Sequence, residues 1–79
     1  MLSLHPQVSV RPEPFGALLY HFGTRRLSFL KDRRLLDVVR RLDGTTSVDD
    51  ALSAVPAAEQ PAFRSALATL AETDMLEVA

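Results

Sequence analysis

The chain has 79 residues, a net charge of −1 and no cysteine. That length carries one domain, residues 1–79, and the missing thiols exclude a disulfide scaffold, a thiolate metal site and a cysteine nucleophile. Apolar residues make up 47%, enough for a core and too many for a disordered chain, and no apolar run approaches the ~18 residues of a membrane span.

The N-terminus, Met1 to Pro6, has neither the basic leader nor the apolar stretch of a signal peptide. The expectation is a cytoplasmic domain with no membrane partner. The small net charge hides an asymmetry. Residues 1–42 hold eight of the nine basic side chains and three acids, whereas residues 43–79 hold Arg64 against seven acids. Either the surface is polarised toward a charged partner, or two halves of one domain attract each other.

In chain order, residues 1–6 read as a loose end. Val8-Ser9-Val10-Arg11 alternates like a short strand, which Pro12 and Pro14 stop. Two more strands follow, near 16–22 and 25–30. Gly23-Thr24 suits a two-residue type II′ loop, with Gly supplying positive φ. Phe22 then pairs with Arg25, Tyr20 with Leu27 and Leu18 with Phe29. One face carries Leu18, Tyr20, Phe22, Leu27 and Phe29; the other carries Ala17, Leu19, His21, Arg26 and Ser28. The more apolar face is the one expected against the helices. The third strand is expected at an edge, with unpaired backbone groups.

The rest reads as helix. Asp32 caps a helix over 33–42, with Leu35, Leu36, Val38, Val39 and Leu42 on one side and Arg33, Arg34, Asp37, Arg40 and Arg41 on the other. Gly44 suits the position beyond its end. Ser47 caps a short helix over 48–54 that Pro56 ends. A third helix spans about 58–72, with Pro61 in its first turn and Phe63, Leu67 and Leu70 on one side. Met75 to Val78 reads as a packed tail or a brief extended piece. The whole is an α+β layer, winged-helix-like, a three-stranded antiparallel sheet followed by three helices.

Catalytic constellations are hard to find. His5 and His21 lie in different kinds of segment, and His21 reads as surface or half-buried. Asp49-Asp50 reads as helix-start carboxylates, and the three glycines stand isolated, so there is no phosphate loop. The expectation is a non-enzyme without metal or cofactor. A winged helix raises DNA binding, but the third helix offers Arg64 as its one cation amid Glu59, Glu72 and Asp74, which repels phosphates. Nucleic acid is therefore not the expected partner. What remains is a binding module with an edge strand open to an extended peptide. A winged-helix DNA binder and a general protein-interaction domain stay open as alternatives, and Leu27, Phe29, Phe63 and Leu67 as plain core.

Arg11-Pro12-Glu13-Pro14-Phe15-Gly16-Ala17-Leu18-Leu19-Tyr20-His21-Phe22-Gly23, with Arg25 to Leu30 and Leu35-Leu36-Asp37-Val38-Val39, closely resembles the precursor-binding chaperones of the mycofactocin system. That family is similar to the small partner protein of pyrroloquinoline quinone biosynthesis. Both are recognition elements for ribosomally made, modified peptides. The resemblance implies a domain that binds the leader of a precursor peptide and presents it to a radical S-adenosylmethionine maturase. The maturase would hold the clusters and cofactor, and this chain none. The resemblance puts the leader along the third strand, at Arg25, Arg26, Leu27, Ser28 and Phe29, and against the third helix, at Phe63, Arg64, Leu67 and Leu70. Arg33, Arg34, Arg40 and Arg41 are then left to dock the enzyme, or to form a solvated face.

Overall fold

The computed structural model describes residues 1–78. These form β1 (Leu2–Leu4), β2 (Val8–Glu13), β3 (Gly16–His21), β4 (Arg26–Leu30), α1 (Arg33–Arg41), α2 (Val48–Ala51), α3 (Gln60–Glu72) and β5 (Leu76–Val78). The main sheet is antiparallel in the order β2-β3-β4, so the α+β class and the three-strand, three-helix content stand. The order differs from the expectation at both ends, because β1 and β5 pair antiparallel as a second sheet, Leu2 opposite Val78 and Leu4 opposite Leu76. Residues 1–6 are thus no loose end. His5 N–H donates to the Met75 carbonyl at 3.0 Å, and Gly44 N–H to the Leu2 carbonyl at 3.1 Å. Buried Met75 and Leu76 anchor the C-terminal strand.

The β3–β4 register is the expected one, with Leu18 opposite Phe29 and Tyr20 opposite Leu27. The turn is not. The ladder closes at His21–Arg26, leaving a four-residue loop of Phe22 to Arg25. Positive φ falls on Arg25 (59°), not on Gly23. Gly23 is needed for a different reason: a Cβ there would strike the Gln7 side chain and the His21 ring.

The covered face is also the opposite of the expected one. Ala17, Leu19 and Leu30 are buried against the helices, while Leu27 and Phe29 are 54% and 59% exposed. The reason lies in β2. Val8, Val10 and Pro12 stand opposite His21, Leu19 and Ala17, and Ser9, Arg11 and Glu13 stand on the side of Tyr20 and Leu18. Three polar residues on the outer side and two valines on the inner side reverse the balance that the β3–β4 hairpin suggests alone. Small and aliphatic side chains on the inner face also let α1 come close, where a row of rings would hold it off.

α1 keeps its amphipathic pattern. Leu35, Leu36, Val38 and Val39 are buried, and Asp32 Oδ1 accepts from Arg34 N–H at 2.8 Å as the cap. α2 ends at Ala51, shorter than the sequence pattern suggests, with Ser47 Oγ accepting from Asp50 N–H at 3.1 Å. α3 begins at Gln60 without a side-chain cap, and Pro61 sits in its first turn, where its missing N–H costs nothing. Leu19, Leu30, Val39, Leu52, Leu67, Met75 and Leu76 fill the centre of the core.

Candidate functional site

The two edges of the main sheet differ in what they offer. Phe22 N–H donates to the Gln7 carbonyl at 2.9 Å. Hydrogen-bonded pairs alternate along an antiparallel ladder, so Tyr20 and Leu18 turn their backbone groups toward β2. Leu19 and Ala17 therefore turn theirs toward β4, as does His21, whose carbonyl accepts from Arg25 N–H at 2.7 Å. Ser28 and Leu30 opposite them are bonded within the sheet. The N–H and C=O groups of Leu27 and Phe29 face outward, as an open edge.

The β2 edge is blunted. By the same alternation Val8, Val10 and Pro12 face outward there. Val8 N–H is taken by the His5 carbonyl at 2.9 Å, and Pro12 has no N–H. Pro12 therefore sits inside the strand at no cost to the ladder, although the sequence reading ends the strand at it. β4 is the edge left available.

The strand candidates are accessible. Arg25, Arg26, Leu27 and Phe29 are exposed and Ser28 is half-buried. Alternation puts Arg26 and Ser28 on the helix side, and Leu27 and Phe29 on the outer side. Arg25 and Arg26 have no ion pair among the described residues. The helix candidates are not all free. Phe63, Leu67 and Leu70 are core residues, because the apolar stripe of α3 turns inward. Arg64 is held by the Asp49 carboxylate on α2 at 2.5 Å. Besides Pro61, Arg64 and Glu72, α3 exposes the small side chains of Ala62, Ser65, Ala68 and Thr69.

Of the four arginines on α1, Arg34 is committed. It donates to Asp32 and to both oxygens of Glu59, and its guanidinium lies 5.4 Å from the Phe63 ring centre. These bonds to Arg34 hold the Asp32 and Glu59 carboxyls below their usual range, and raise the Arg34 pKa further. Arg33, Arg40 and Arg41 are exposed.

Sequence reasoning missed His21. It is 3% exposed rather than at the surface. Its Nδ1 accepts from Gly23 N–H at 3.0 Å and Thr24 N–H at 3.1 Å, and His5 stacks on it with ring centres 4.4 Å apart. It builds the β3–β4 turn. Its Nε2 is buried with no partner among the described residues. The available signal was its place two residues after Leu19 on the inner face.

Among the described residues no group of three His, Asp or Glu side chains is placed to hold a metal, and no helix is long and apolar enough to cross a membrane. A shallow open cleft lies beside α1 and α2, walled by Arg34, Asp37, Val38, Arg41, Ala51, Ala54 and Val55.

With this geometry in hand, comparison with known proteins is decisive. The model of the peptide chaperone MftB family matches residues 1–77. The chain belongs to that family. It is 53% identical over 75 residues to the peptide chaperone MftB of Mycobacterium tuberculosis, covering 92% of this chain and 69% of that protein. The Mycobacterium ulcerans protein of the same name is 56% identical over the same shares. That of Mycolicibacterium smegmatis is 52% identical, with 74% of its length covered. No solved structure matches. The family is named for a chaperone rather than a catalyst, in line with the expected non-enzyme.

Proposed function

We propose that the chain is a non-catalytic peptide chaperone of mycofactocin biosynthesis. It takes the leader region of a ribosomally made precursor peptide as an added strand and presents it to a radical S-adenosylmethionine maturase in the cytoplasm. The open β4 edge carries the reading. The outward backbone groups of Leu27 and Phe29 can bond a new strand directly, whereas β2 is blocked by Pro12 and by the segment at His5. The name borne by the relatives, peptide chaperone, agrees with such a use.

In this reading the winged-helix-like order supplies a sheet edge beside a helix. Arg25 and Arg26 meet leader carboxylates at the turn. Leader side chains on the helix side neighbour Arg26 and Ser28. The clusters and cofactor belong to the maturase.

The test is a backbone amide titration of the labelled chain with a synthetic precursor peptide, repeated with a short DNA duplex. Shifts centred on residues 25–30 with peptide and none with DNA are expected. Shifts at Arg25, Arg26 and α1 with DNA alone would overturn the reading in favour of a nucleic-acid binder.

A further inference from the structure

The outer face of the main sheet is the most unusual surface of the molecule. It carries Leu18 and Tyr20 from β3 and Leu27 and Phe29 from β4, with Phe15 and Phe22 at its ends. The helices all lie on the other side, against Ala17, Leu19 and Leu30. Phe15 is 47% exposed and Phe22 62%. With Leu27 and Phe29 they leave roughly 400 Å² of apolar side chain in water, the size at which a patch on a monomer marks an interaction site. The rings are held in place. Phe15 and Phe29 lie 6.4 Å apart, and Tyr20 meets Phe22 edge-on at 4.9 Å. A partner would find them already ordered, which lowers the entropic cost of docking.

The border of the face is basic. Arg11 stands on it opposite Leu18, Arg25 sits at the turn, and Lys31 follows at the far end of β4. Its acid is Glu13, bonded by Arg11 Nε at 2.8 Å. The acids Asp49, Asp50, Glu72 and Asp74 are carried by α2, α3 and the turn after α3.

We infer that this outer sheet face, and not α1, docks the maturase, through a surface on that enzyme that is apolar at its centre and edged with carboxylates. The inference rests on the proposed function for the identity of the enzyme. The exposed side of α1 offers Arg33, Asp37, Arg40 and Arg41 and no apolar anchor. Such charges steer an encounter, but exposed ion pairs hold little. Interfaces are held by desolvated aromatic and aliphatic anchors inside a polar rim, and the sheet face has both. A second copy of this chain fits less well. Two-fold stacking sets the basic border of one copy against the basic border of the other. A strand added at the β4 edge lies in the plane of the sheet and leaves this face open, so peptide and enzyme can be held together.

The experiment measures binding of the purified maturase to the full chain at two salt concentrations. The variants are L18T/Y20T, which changes the face away from the β4 edge, R11E/K31E, and R40E/R41E. The inference requires L18T/Y20T and R11E/K31E each to weaken enzyme binding at least tenfold, with peptide affinity held within twofold and R40E/R41E near the unaltered chain. R11E/K31E should also flatten the salt dependence. The two charge variants alter only exposed side chains, so they remain informative if L18T/Y20T folds poorly. Enzyme binding that survives both face variants but is lost in R40E/R41E overturns the inference alone. No enzyme binding by the unaltered chain overturns both the inference and the reading beneath it. A dimer seen by light scattering that L18T/Y20T dissolves assigns the face to a second copy and overturns the inference too.

Discussion

Arg34 donates to both carboxylate oxygens of Glu59, at 2.9 and 2.8 Å, and so ties the first turn of α1 to the residue that starts α3. The same guanidinium holds the Asp32 cap and lies over Phe63. One side chain thus ties α1, the helix that packs on the main sheet, to the start of α3. R34M should lower the Tm and make peptide affinity more variable with temperature, measured by thermal melts and calorimetry. Its null outcome is a Tm equal to that of the unaltered chain.

Acid should destabilise the fold in a defined window. Asp43 accepts from Thr45 N–H, the Thr45 hydroxyl and Thr46 N–H, which together pull its carboxyl down to about 2 from an ordinary 3.8. Asp32 and Glu59 are lowered by Arg34. A carboxylate with a depressed folded pKa contributes fully above its unfolded value and loses that contribution as the pH falls through the folded one. The Tm should therefore be flat above about pH 5 and fall between about pH 4 and 2. D43A should show a smaller drop over that window. Salt at 1 M should weaken the Arg34 share, and the hydrogen bonds of Asp43 much less.

His21 makes a separate claim on stability. H21A removes the acceptor for two turn N–H groups and empties a buried site beneath His5. About 2 kcal/mol should be lost, or roughly 10 °C in Tm at this size. H21F keeps the volume and loses only the acceptor, since Nε2 has no partner among the described residues, and should cost about 1 kcal/mol. G23A brings a Cβ against Gln7 and, at 2.9 Å, against the His21 ring. Its cost should shrink in a Q7A background without vanishing, because the glutamine tip can leave and the ring cannot.

Much of this was legible. The α1 stripe, the Asp32 and Ser47 caps and the Tyr20–Leu27 register all follow from local pattern. The covered face was not legible from the hairpin, because the deciding residues, Ser9, Arg11 and Glu13, sit on another strand. The β1–β5 pairing joins residues more than 70 positions apart, and three-residue strands give no periodic signal. For the site, the β4 alternation was legible but not which half of it is exposed, since Leu27 and Phe29 were expected against the helices. The inward turn of Phe63, Leu67 and Leu70 depends on what α3 packs against, and the pairing of Arg64 with Asp49 on a long-range contact.

Proline at the edge separates peptide docking from folding. Leu27 N–H faces outward, so L27P should leave the β3–β4 ladder intact while removing a donor from the incoming strand. Ser28 N–H bonds back to β3, so S28P breaks the ladder itself and should cost about 3 kcal/mol or more. The expected pattern is a folded L27P chain with peptide affinity reduced at least tenfold, and an S28P chain with a collapsed Tm. Circular dichroism melts and peptide titration read the two effects independently. If L27P is folded and binds the precursor peptide unchanged, strand addition at β4 is excluded, and the peptide must lie on a face rather than along the edge.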